Sequence, residues 1–135
     1  MSDCFIWIVD DDADDLDIIS QAFRECSMGV RLFAAQEASS VLPALEKSDE
    51  NDFPKVILLD INMPQISGKM LLSMIRKVER FKHIPIVVFT TSNSAKDRTE
   101  CLQLGANSFL TKPVTYQDMV KICASVTTVF CNTVI

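Results

Sequence analysis

A strict alternation between short apolar runs and segments of helical spacing constrains this fold more than any other feature. Near-continuous hydrophobic stretches occupy residues 5–9, 30–34, 56–60 and 86–90, with a weaker one at 108–111. Near-continuous hydrophobicity over about five residues suits a parallel strand covered on both faces. Between them, Ile18, Ile19, Ala22, Phe23 and Cys26 share one helical face, as do Leu71, Met74, Ile75 and Val78. Ala38, Val41, Leu42 and Leu45 make a third such face, and Pro43 is expected to make that helix irregular near its start. The more polar segment 96–104 runs into Gly105, a residue suited to closing a helix. Segment 116–129 has helical spacing through Met119, Val120, Cys123 and Val126, but the Thr, Val, Phe and Ile residues that follow favour extended structure. Whether 127–135 is helical is therefore left open. Strand followed by helix, five times over, implies an α/β sandwich with right-handed crossovers.

Nothing along the 135 residues breaks this rhythm: no repeat, low-complexity tract or Gly/Ser linker occurs, so one domain over 1–135 is expected, with no output domain. At 48% hydrophobic residues, the core needs no metal or disulfide to hold it. The apolar runs are too short to span a bilayer, and the start of the chain lacks the basic and apolar regions of a secretory signal. Five cysteines form no CxxC pair and leave an odd one out. They are expected to be small buried hydrophobes or incidental thiols in a reducing cytoplasm. A net charge of −5 argues against nucleic acid as a partner, because that contact needs a basic face.

The acidity is concentrated where it carries information. In an open parallel sheet, ligands bind beyond the carboxyl ends of the strands. There the first strand ends in Asp10-Asp11-Asp12, the third in Asp60, the fourth in Thr90-Thr91, and the fifth leads to Lys112-Pro113. Carboxylates crowded to 5 Å repel by about 3 kcal/mol per pair at an effective dielectric near 20. Such a cluster needs a cation, and all-oxygen ligands point to Mg²⁺ or Mn²⁺ rather than zinc.

Four blocks taken together resemble the signatures of bacterial response-regulator receiver domains, of the CheY-like superfamily. They are Val9-Asp10-Asp11-Asp12, Leu59-Asp60-Ile61-Asn62-Met63-Pro64 with Gly68, Phe89-Thr90-Thr91, and Phe109-Leu110-Thr111-Lys112-Pro113. Thr-Thr-Ser at 90–92 and the long segment before Pro85 resemble the cyanobacterial phytochrome response regulators among them. The resemblance implies a doubly wound, flavodoxin-like five-stranded parallel sheet of order 2-1-3-4-5 with helices on both faces. It implies that Asp60 takes a phosphoryl group from a sensor histidine kinase or a histidine phosphotransfer protein. Mg²⁺ would be held by Asp11, Asp60 and the Asn62 carbonyl, with Asp10 acting through bound water. Lys112 and Thr90 would contact the phosphoryl oxygens, helped by the Thr91 amide. Thr90 and Phe109 would form a switch read on the face of helix four, strand five and helix five by an unidentified downstream protein or a second copy. A cis Lys112–Pro113 bond is also implied. Phe109 stands where the family often has Tyr, so a hydroxyl contact is missing there.

Each residue alone has a plainer reading. Asp12, Asp14, Asp15 and Asp17 suit an acidic helix start that favours the dipole. Alternating Asp10, Asp12 and Asp14 resemble a calcium loop, but Asp15 and Gln21 stand where that loop needs Gly and Glu. Asn62 could serve only as a turn residue, Lys112 as a surface lysine, His83 as a solvated loop residue and Trp7 as core. A phosphatase of the haloacid dehalogenase type would need a second Asp where Asn62 stands, and room for a cap. A degenerate receiver would lack one of Asp11, Asp60, Thr90 or Lys112, and all four are present.

Overall fold

Strands that are apolar on both sides must be covered on both sides, and this chain supplies the cover. The structure is a computed structural model that describes residues 4–26 and 29–131. The strands are β1 (Cys4–Val9), β2 (Val30–Ala35), β3 (Val56–Leu59), β4 (Ile86–Thr90) and β5 (Ser108–Thr111). They pair in parallel in the order β2-β1-β3-β4-β5. Helices α1 (Ala13–Cys26), α2 (Val41–Lys47), α3 (Gly68–Arg76), α4 (Ala95–Gln103) and α5 (Tyr116–Val126) form the crossovers and the closing element.

The pleat divides the core in two. Trp7, Val9, Ile57, Leu59, Ile86 and Val88 point to the side covered by Val41 and Leu45 of α2, Leu71, Leu72 and Ile75 of α3, and Cys101 of α4. Ile6, Ile8, Val56, Leu58, Val87 and Phe89 point to the other, against Leu16, Ile19 and Phe23 of α1 and Met119, Cys123 and Val126 of α5. All of β3 and β4 is buried, which explains the unbroken apolar runs at the centre of the sheet. Ile18 is the member of the expected α1 face that does not go in; it remains 41% exposed.

The punctuation behaves as its chemistry requires. Pro43 lies in the first turn of α2, where a missing N–H is harmless, and a 3₁₀ turn at Ala38–Ser40 precedes it. Gly105 closes α4 at φ +112°, with the Ala106 N–H on the Cys101 carbonyl and its own on Leu102.

Three expectations need correction or completion. The Thr-rich end does not extend; Thr127–Cys131 continues α5 as a π-helical turn. The Thr127 and Thr128 hydroxyls bond back to the carbonyls of Cys123 and Ala124, so both hydroxyls are satisfied within the helix. Residues 132–135, whose conformation the sequence left open, lie outside the described residues. That turn also carries Cys131 beneath β1, with its Cα 5.3 Å from that of Cys4, and the two form a disulfide. Cys4 and Cys131 are therefore not the incidental thiols expected, while Cys101 and Cys123 are buried thiols as expected. Lastly, no peptide bond among the described residues is cis, so the implied cis Lys112–Pro113 bond is not found. The Lys112 N–H bonds the Thr90 carbonyl, and from there the side chain turns inward through an ordinary trans linkage.

Candidate phosphoryl-acceptor site

Strand order reverses between β1 and β3, and the crevice at their carboxyl ends is where an open α/β sheet binds ligands. Asp10 directly follows β1 and Asp60 directly follows β3, the two strand ends tied together by the Asp60 N–H on the Val9 carbonyl at 2.9 Å. Both are buried, at 1% and 7% exposure. One carboxylate oxygen from each of Asp10, Asp11 and Asp60 lies within 4.8 Å of the others, with Asp11 the most open to solvent. Three acidic oxygens at that spacing fit a hard divalent cation, and among the described residues no other group of this kind occurs.

Lys112 supplies the opposing charge. Its ammonium lies 2.5 Å from Asp10, 2.8 Å from Asp15 and 3.3 Å from Asp60, with the side chain only 6% exposed. Burial works against that charge, but the surrounding carboxylates outweigh it and hold the ammonium above the ordinary lysine range. Burial pushes the Asp10 carboxyl up, and the bonds from Lys112 and the Asp12 N–H offset the rise only in part.

Thr90, fully buried, ends β4. Its hydroxyl oxygen accepts from the Asn62 side-chain amide at 3.2 Å and from the Ser92 N–H at 3.3 Å. The Asn62 N–H donates to Asp60 at 3.1 Å, so one turn residue orients both the acidic oxygen and the threonine. That side-chain role lies beyond the carbonyl contribution the sequence suggested for Asn62. Phe109 is already packed against the α2–α4 side of the sheet at 5% exposure. Asp12 is exposed and caps α1, accepting from the N–H groups of Asp14 and Asp15.

The structure brings Asp10, Asp11, Asp60 and Lys112 together, and adds Asp15 to the set and a separate network around Lys69. Asp15 has the sequence context of a helix-start acid, and only its place on the first turn of α1, 2.8 Å from the Lys112 ammonium, reveals the pair. Lys69 on α3 bonds Asp97 at 2.7 Å and Glu100 at 2.8 Å on α4, while the Ser92 hydroxyl donates to Asp97 at 2.6 Å. Those carboxylates hold the Lys69 ammonium above its ordinary range. The network joins the segment after Thr90 to two helices, and no local spacing signals it.

Comparison with known proteins agrees with this geometry. Residues 6–124 match the response regulator receiver domain family. The chain is 30% identical over 116 residues to the probable methanogenesis regulatory protein FilR2 of Methanothrix harundinacea, covering 84% of this chain and 75% of that one. It is 26% identical over 132 residues to response regulator Rcp1 of Synechocystis, covering 96% and 90%. The crystal structure of the Mn²⁺-bound form of Rcp1 superposes with a TM-score of 0.82, covering 97% of this chain and 96% of that one. With matching signature blocks, strand order and relatives, this chain belongs to the response regulator receiver domain family of two-component signalling.

Proposed function

We propose that Asp60 is the phosphoryl acceptor of this receiver, and that the donor is the phosphohistidine of a sensor kinase or phosphotransfer protein. The observation that carries this reading is one buried carboxylate set between an acidic pair and a lysine ammonium. An Asp60 oxygen attacks phosphorus, the P–N bond to the donor imidazole breaks, and its electron pair leaves on that nitrogen. The new bond is an acyl phosphate, which water later cleaves to restore the carboxylate. Little covalent work falls to the protein, so positioning and charge neutralisation carry the catalysis. Lys112 shifts toward the phosphoryl oxygens, and the Thr90 hydroxyl with the Thr91 N–H donates to them. Mg²⁺, held by Asp11, Asp60 and the Asn62 carbonyl with Asp10 behind a water, would neutralise the remaining charge. The spacing of the carboxylates and the Mn²⁺-bound form of Rcp1 support a divalent ion there. Incubation with acetyl phosphate and Mg²⁺ should yield a hydroxylamine-labile phosphoryl group, and a chelator should prevent it. A chain that stays unmodified, or is modified equally without metal, contradicts this function.

The signal leaves, in this reading, through Thr90. Drawing its hydroxyl toward the phosphoryl group breaks the bonds from Asn62 and Ser92 and shifts the packing around Phe109 on β5. The face of α4, β5 and α5, with Leu102 40% exposed, then meets a downstream protein or a second copy. A phosphoryl group shifts this equilibrium only by its differential affinity for the two arrangements. With beryllofluoride as phosphoryl mimic, NMR shifts around Phe109 should be large in the wild type and small in Thr90→Ala, although both bind the mimic. Equal shifts in the two would rule out this route.

A further inference from the structure

We propose that Asp15 is a positioning residue for Lys112, occupying one of its N–H donors and so setting how much of that ammonium the phosphoryl group on Asp60 receives. The proposal rests on the reading of Asp60 as acceptor. A lysine ammonium has three donors and no acceptor. Here all three have partners, and the bond to Asp60 is the longest at 3.3 Å, against 2.5 Å to Asp10 and 2.8 Å to Asp15. A phosphoryl group must therefore take donors from a partner already in place.

Burial decides which partner yields. The Asp10 side chain is 2% exposed, and leaving its charge unpaired there is expensive. Asp15 is 33% exposed, so water can satisfy its carboxylate once the ammonium turns away. Asp15 and Lys112 also line one surface groove with Thr91, Pro113 and Tyr116, which gives that water its access. Asp14 shares the first turn of α1 and its benefit to the dipole. Only Asp15 of the two reaches Lys112, so the pair measures a direct contact against charge alone.

The test is titration with beryllofluoride at saturating Mg²⁺, comparing wild type, Asp15→Asn, Asp15→Glu and Asp14→Asn. Asp15→Asn should tighten binding by about two- to fivefold, the range of a partly exposed ion pair. Asp15→Glu, which keeps a carboxylate over Lys112, should return toward wild type. Asp14→Asn should show a smaller gain that disappears at about 1 M salt, where screening reaches roughly 3 Å. The Asp15→Asn gain should survive that salt. Hydrolysis of the phosphorylated Asp15→Asn protein should slow along with the tighter binding, because the ammonium stays on the phosphoryl oxygens. Equal gains in the Asp14 and Asp15 variants, or weaker binding in Asp15→Asn, would overturn the proposal while leaving Asp60 as acceptor intact. A wild type that binds no beryllofluoride would instead sink the acceptor reading beneath it.

Discussion

Lys112→Met should lower the metal-free stability of this protein by about 3 kcal/mol near neutral pH, because removing one partner of a buried ion pair strands the other. The ammonium serves Asp10 and Asp60 together, and those side chains are only 2% and 8% exposed. Methionine keeps the length and apolar body of the lysine, so packing loss contributes little. In a domain of this size the deficit corresponds to a melting-temperature drop on the order of 10 °C. Two conditions should restore stability, each for its own reason. Mg²⁺ replaces the lost positive charge, so it should stabilise the variant more than the wild type. Acid should narrow the gap as well. Burial already holds the Asp10 carboxyl above its ordinary value, and without Lys112 nothing but the Asp12 N–H offsets that rise. A carboxyl raised in the folded state binds its proton more tightly there than in the unfolded chain, so falling pH favours folding of the variant. Thermal unfolding across pH, with and without Mg²⁺, checks all three; a variant as stable as wild type in chelator would show that Lys112 is not the counter-charge.

Gly68→Ala should destabilise the protein by about 3 kcal/mol, the upper end of the usual cost of overpacking. The cause is space rather than backbone conformation. A Cβ at Gly68 would fall on the Asp60 carbonyl oxygen and within 2.5 Å of the Ile61 Cα. Both obstacles are main chain, so no side chain can swing aside. The Gly68 N–H also bonds the Ile61 carbonyl, which fixes the start of α3 directly beneath the acceptor. The damage should therefore reach function, displacing Asp60 and weakening Mg²⁺-dependent phosphorylation beyond what lost stability explains. Urea unfolding and phosphoryl incorporation on the same preparation separate the two effects. An alanine variant of wild-type stability would mean that α3 starts farther from the end of β3.

Much of this arrangement was legible from the sequence because its signals are local. Short, nearly continuous apolar runs identify the central parallel strands, and the carboxyl end of each strand falls on the binding edge by topology. Asp10, Asp60, Thr90 and Lys112 are all such strand-end residues, so the order of elements was enough to bring them together. What escaped depends on distance through space. Asp15 meets Lys112 across 97 residues, and Lys69 meets Asp97 and Glu100 across 28 and 31. Cys4 meets Cys131 across 127, at the opposite end of β1 from the acidic site. Helix periodicity places a side chain on a face; it does not say which side chain of another element stands opposite. The π-helical turn at Thr127–Cys131 escaped for another reason. Val126, Phe130 and Cys131 pack with the α1 and α5 core, and that tertiary packing overrides the extended preference of the branched residues between them.

The central claim is that Asp60 alone receives the phosphoryl group, and intact-mass measurement after exposure to acetyl phosphate and Mg²⁺ tests it most directly. Wild type should gain the mass of one phosphoryl group. Asp60→Asn, which keeps the shape of the side chain but removes the nucleophilic carboxylate, should gain none while remaining folded. A folded Asp60→Asn protein that is modified as fully as wild type would contradict the account, and would place the acceptor on another residue.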